Sequence, residues 1–210
     1  MEAEQVDVAM IERRNAHIIL LVLVFMIAIY PLDLSVVRFL QDIRTSPLNI
    51  FFLYFTMLGN YVFALGEIIF VLLYRGKDRK KYSIAVIASL LSWCITDRIV
   101  ISIKMLTRRP RPFLADNSIE PLCGRPQDYS FPSGHSNAAW SLTTPLVLCT
   151  RSRTMKIILI AFAILMSFSR IYCGVHYPTD VIFGALIGYL ASFYITGLLV
   201  KIVYGGDMTE

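Results

Sequence analysis

The chain has 210 residues, 56% of them hydrophobic and 17% charged, with a net charge of +5 and a mean hydropathy of +0.62. These values exclude an ordinary soluble domain, which would leave far more of its surface to charged groups. Nucleic-acid binding is excluded with it, because the basic excess behind a pI near 9.1 is scattered over short loops and tails and makes no basic stripe on a polar face.

In chain order, six apolar stretches approach the roughly 17–25 residues needed to cross a bilayer core of about 30 Å. They run from His17 to Leu32, within Leu48 to Tyr74, from Tyr82 to Leu106, from Gly134 to Leu148, from Met155 to Phe168 and from Pro178 to Val203. The second is interrupted by Gly59-Asn60 and Gly66-Glu67 and reads as one crossing, with an interfacial turn followed by a helix as the alternative. Between the first two, Leu34 to Arg44 alternates Val36, Val37, Leu40 and Ile43 with Arg38, Asp42 and Arg44, a pattern suited to a helix along the interface. The predicted fold is an all-α polytopic membrane protein, a six-transmembrane helix bundle with one interfacial amphipathic helix. Residues 1–16 form an N-terminal tail, 17–204 a single membrane domain and 205–210 a C-terminal tail. Glu2, Glu4, Asp7 and Glu12 precede the first apolar run and no small-residue cleavage pattern follows it, so the first helix is expected to be retained. Glu67, Asp97 and Arg98 fall inside apolar stretches and are expected to face the bundle interior and find separate partners.

Six crossings place Arg13, Arg14, Arg75, Lys77, Arg79, Lys80, Lys81, Arg151, Arg153, Lys156 and Lys201 on one side. The positive-inside rule makes that side, with both termini, cytoplasmic. Three polar islands then share the extracytoplasmic side: Lys104 with Arg111-Pro112, Pro132-Ser133-Gly134-His135, and Ser169-Arg170 followed by His176 and Asp180. Arg111 lies between Pro110 and Pro112, which stiffen the segment, and a guanidinium with an ammonium suits several oxygens of one phosphoryl group. Ser133 and Gly134 open an apolar helix, where unpaired N–H groups and the helix dipole favour an anion, and His135 is placed to protonate a leaving oxygen. Pro178 starts the last span, leaving His176 in the loop and Asp180 in the first turn, where its carboxylate can hold one imidazole nitrogen and leave the other as a nucleophilic lone pair. Taken singly, each island also has a structural reading: cations marking a membrane boundary, a serine-capped helix, and an interfacial His–Asp bond.

Together, Lys104-x6-Arg111-Pro112, Pro132-Ser133-Gly134-His135 and Ser169-Arg170-x5-His176-x3-Asp180 resemble the three signature motifs of the type 2 phosphatidic acid phosphatase family, in order and at every signature position, over roughly residues 82 to 200. The resemblance implies a metal-independent lipid phosphatase without cofactors. In it His176 would attack phosphorus to give a phosphohistidine, Asp180 would orient it and His135 would act as general acid. Lys104, Arg111, Ser133, Gly134 and Arg170 would bind the phosphoryl oxygens, and vanadate would inhibit. Size and economy are similar to small members that recycle polyprenyl carriers. The expected substrate is thus undecaprenyl or dolichyl diphosphate, with phosphatidic acid or phosphatidylglycerophosphate as the alternative and a non-catalytic lipid-phosphate binding or transport protein as the competing class. No cluster at metal-ligand spacing occurs in the outer loops. Cys123 and Cys173 fall on the same side, where a disulfide can form if the compartment is oxidising.

Overall fold

A computed structural model describes the backbone of residues 2–205 and the side chains of residues 15–57 and 59–205. Among these residues all regular structure is helical. Helix α1 (Glu2–Ile29) passes through a 3-10 turn at Tyr30–Leu32 into α2 (Asp33–Asp42). The expected amphipathic segment is therefore helical, with Asp33, Val37 and Leu40 buried. It is not set apart from the first span, however: Asn15–Asp42 forms one apolar run of 28 residues. Leu20, Leu21, Phe25 and Ile27 on α1 all point outward, as lipid contact requires.

Helix α3 (Ser46–Leu73) starts with Pro47 in its first turn, where a missing N–H costs nothing. It bends by 52° between its Ser46–Met57 and Gly59–Leu73 halves. Helix α4 (Arg79–Thr107) ends on Arg108 in the left-handed conformation, and the short α5 (Pro112–Ala115) follows. Helices α6 (Gly134–Cys149), α7 (Arg153–Tyr172) and α8 (Pro178–Tyr204) complete the bundle.

Against the six expected crossings, four helical runs among the described residues are long and apolar enough to span a bilayer, and the bent α3 makes a fifth. The sixth, α6, has only 16 residues, about 24 Å at 1.5 Å per residue. It packs against α4, α7 and α8, and Asn137, Ser141, Thr143 and Thr144 are buried along it. A helix enclosed by other helices does not need a lipid-compatible surface, which explains its polar character and its modest length.

Small side chains and glycines set the spacing around α6. A Cβ on Gly184 of α8 would lie 2.4 Å from the Ser133 carbonyl oxygen, and one on Gly188 would lie 2.4 Å from that of Asn137. The two backbones can approach only because nothing projects there, as in small-xxx-small membrane packing. Hydroxyls add directional contacts: Ser136 donates to the Val181 carbonyl at 2.8 Å, Ser192 to that of Ser141 at 3.1 Å, and Thr96 and Ser141 pair at 3.1 Å.

At the end of the bundle carrying the islands, Val37, Phe52, Phe113, Ile119, Tyr172, Val175 and Tyr177 form a buried apolar cluster. Arg44 ties the same loops together, donating to the Tyr172 carbonyl from NH2 at 2.6 Å and to the Glu120 carbonyl from NH1 at 2.6 Å. Cys123 and Cys173 are disulfide-bonded, with their Cα atoms 6.0 Å apart. The expectation for the in-span charges fails in part. Glu67 is buried and accepts from Ser89 of α4 at 2.5 Å, but Arg98 is exposed and Asp97 half-exposed. They sit on the outward face of α4, between the inward residues Thr96 and Val100.

Candidate functional site

The C-terminal ends of α4 and α7 and the N-terminal ends of α6 and α8 meet, and every residue singled out from the three islands lies there. His176 is buried in the turn between α7 and α8. That turn includes Gly174 at φ +71°, a conformation glycine adopts without strain. Pro178 opens α8 and places Asp180 in its first turn, where Oδ2 accepts from the Tyr177 backbone N–H at 3.0 Å and lies 3.4 Å from His176 Nδ1. The other ring nitrogen, Nε2, faces Arg111 NH1 at 3.3 Å. Nδ1 is thereby assigned the proton and Nε2 the lone pair. Burial, reinforced by the charges of Arg111, Arg170 and Lys104, holds the His176 pKa well below its ordinary 6.5, so the ring is a neutral base at neutral pH.

The cations are buried around it. Lys104, in the last turn of α4, pairs with Asp128 Oδ2 at 2.8 Å and donates to the Tyr129 carbonyl. Arg111 donates from NH1 to the Val175 carbonyl at 2.7 Å, from Nε to the Asp128 carbonyl at 2.9 Å and from NH2 to Asp128 Oδ1 at 2.5 Å. Arg170 reaches back to Thr56 on α3, donating from NH1 at 2.6 Å, while its buried Nε has no protein acceptor. Ser133 caps α6, its Oγ accepting from the Ser136 N–H at 3.4 Å, and its own N–H donates to the Asp180 carbonyl at 2.9 Å. Gly134 begins α6, and a Cβ there would meet protein only at Val100, 3.9 Å away. His135 is partly exposed; its carbonyl accepts from Asn60 of α3 at 3.1 Å, and its ring lies within electrostatic reach of Arg170, His176, Arg111 and Lys104.

The sequence reading left four contributors without a role. Arg109 donates from NH1 to Asp180 Oδ1 and from NH2 to Asp33 Oδ2, both at 2.6 Å, and its guanidinium lies over the Tyr177 ring at 3.9 Å. Asp33, at the start of α2, also accepts from the Thr179 N–H at 3.0 Å and from its hydroxyl. Ser130 donates to Asp180 Oδ2, and Asp128 bridges Lys104 and Arg111. Arg109, Asp128 and Ser130 lie next to the first and second islands, a positional signal that sequence offers; Asp33 carries none.

A family profile described as the PAP2 superfamily matches residues 81–203. The chain belongs to the PAP2 superfamily. Among PAP2 relatives it is 42% identical over 90 residues to the undecaprenyl-diphosphatase of Sulfolobus acidocaldarius, covering 43% of each chain. It is 31% identical to the bacitracin transport permease protein BcrC of Bacillus licheniformis, covering 78% of this chain and 79% of that one. Its length thus spans less than half of the first relative but most of the second. Its fold is similar to the crystal structure of a transmembrane PAP2-type phosphatidylglycerolphosphate phosphatase from Bacillus subtilis, with a TM-score of 0.67 and 25% identity over 93% of this chain and 98% of that one.

Proposed function

We propose that the protein is an integral membrane lipid phosphatase that hydrolyses a lipid phosphate ester or anhydride through a phosphohistidine on His176. The observation that carries the reading is the buried, neutral imidazole whose Nδ1 meets the Asp180 carboxylate while Nε2 faces Arg111. In the first step the Nε2 lone pair forms the N–P bond, the bond from phosphorus to the lipid oxygen breaks, and His135, carrying a proton once the phosphoryl anion offsets the surrounding cations, gives that proton to the departing oxygen. Water then attacks phosphorus and loses a proton to His135. The P–N bond breaks, releasing inorganic phosphate and the free imidazole. Lys104, Arg111, Arg170, the Ser133 hydroxyl and the Gly134 N–H bind the phosphoryl oxygens and stabilise their charge in the transition state.

The preferred substrate is a polyprenyl diphosphate such as undecaprenyl or dolichyl diphosphate, supported by the likeness to the archaeal undecaprenyl-diphosphatase. Likeness to the phosphatidylglycerolphosphate phosphatase over nearly the whole chain favours a glycerolipid phosphate as the second reading. The domain of residues 17–204 sits in the cell membrane with cytoplasmic termini, and the site opens on the extracytoplasmic side; the distribution of basic residues supports this orientation. The test is phosphate release by purified protein from a panel of lipid diphosphates and monophosphates, in detergent with chelator present. Release by wild type and loss in His176→Ala is expected. Undiminished release by His176→Ala removes the assignment.

A further inference from the structure

Asp128 lies in the segment between α5 and α6 and is not among the signature positions. Its Oδ2 is 2.8 Å from Lys104 Nζ and its Oδ1 is 2.5 Å from Arg111 NH2. The two cations are almost buried, with side chains 9% and 3% exposed, whereas that of Asp128 is 55% exposed. The carboxylate thus enters from the open side of the site and takes two oxygens to the same nitrogens that a phosphoryl group would need.

Donor bookkeeping sets the two occupants in competition. Arginine has five N–H donors and lysine three. Nε and one N–H of NH1 on Arg111 are committed to the carbonyls of Asp128 and Val175, and the rest of NH1 faces His176. NH2 carries the remaining two, one of which holds Asp128. Lys104 is shared between the Tyr129 carbonyl and Asp128. With Asp128 in place one N–H on Arg111 NH2 and one on Lys104 stay uncommitted, and a phosphoryl group gains the full outward donor set and charge of both cations only as the Asp128 side chain leaves them. The backbone bonds to Tyr129 and Asp128 carbonyls keep the cations in place meanwhile.

Resting on the hydrolase reading above, we propose that Asp128 is a resident counter-anion of the phosphate-binding cations, which incoming phosphate displaces and which returns to expel inorganic phosphate after hydrolysis. It therefore sets the affinity of the site for substrate and product. A tethered competitor lowers apparent affinity by the fraction of time it leaves the site free, and its own chain supplies a high local concentration.

The test compares wild type with Asp128→Asn and Asp128→Ala, and with Asp116→Asn as a control that removes a charge elsewhere on the same segment. Binding of inorganic phosphate and of orthovanadate is measured by calorimetry on detergent-solubilised protein, which needs no turnover, and phosphate inhibition of lipid hydrolysis is measured beside it. In both Asp128 variants phosphate should bind about fivefold more tightly and KM should fall in parallel, with Asp116→Asn unchanged. Unchanged or weaker phosphate binding in a folded Asp128 variant overturns the proposal and makes Asp128 a support for the cations. Tighter phosphate binding in a protein that hydrolyses no lipid phosphate would instead overturn the hydrolase reading alone.

Discussion

Arg109 NH1 lies 2.6 Å from Asp180 Oδ1, and the opposite nitrogen of the same guanidinium lies 2.6 Å from Asp33. The carboxylate behind His176 is thereby fixed from outside the signature positions, by Arg109, which Asp33 of α2 holds in turn. Asp33→Asn and Arg109→Lys should lower kcat by about ten- to a hundredfold, the range for partners that orient a reacting group, with KM little changed. Steady-state kinetics on the folded variants check this; a rise in KM alone would place Arg109 on the substrate.

Trapping the intermediate tests the division of labour between the two histidines. With His135 removed, a substrate with a good leaving group needs no proton from the enzyme, so His135→Ala should accumulate labelled phosphate on the protein. His176→Ala should accumulate none. Asp180→Asn, which disturbs the tautomer and leaves the ring, should lower kcat by up to about four orders of magnitude. Acid-labile label recovered on a His176 peptide by mass spectrometry is the expected outcome.

The pH dependence follows from the same ring. Burial first, and then Arg111, Arg170 and Lys104, hold the His176 pKa well below 6.5. The nucleophile stays unprotonated as pH falls through 6.5, and the acid limb of kcat/KM assigned to it should lie below that value. Stability moves the other way. The unfolded chain takes up a proton near 6.5 that the folded protein refuses, so this contribution is full above 6.5 and diminishes as pH falls beneath it. A kcat/KM profile with thermal unfolding at matched pH values measures both.

Reducing the disulfide between Cys123 and Cys173, or replacing both residues by serine, should lower stability. The bond closes a loop across 50 positions, for which chain entropy gives about 4 kcal/mol. A lower Tm on reduction, accompanied by the mass shift of two alkylated thiols, is expected.

Gly184→Ala should damage the site from behind. The added methyl would stand 2.4 Å from the Ser133 carbonyl oxygen, which is backbone, whereas Gly197 faces open space. Overpacking of this kind costs about 1–3 kcal/mol. Gly184→Ala should lower both Tm and kcat, while Gly197→Ala should leave both near wild type.

Sequence made the motif residues legible because each island combines chemistry with a helix terminus, and a proline or glycine marks those termini locally. Pro178 placed Asp180 in a first turn, and Pro132-Ser133-Gly134 placed the α6 cap. What it could not convey is pairing between distant segments. Asp33 meets Arg109 and Thr179 across most of the chain, and nothing in its neighbourhood announces that. Hydropathy also misled in one place. Asp97-Arg98 look like interior groups, although their positions on α4 turn outward.

The two imidazoles differ in exposure: His176 is 2% exposed and His135 is partly exposed. Displacement at phosphorus sets the entering and departing atoms at opposite apices, so under the proposed roles the hydrophobic alcohol or lipid monophosphate exits past His135. The hydrolytic water must arrive through that same doorway. Chemistry in the second half-reaction then waits on clearance of the tail, and any hydroxylated lipid lingering there competes with water for the phosphoryl group.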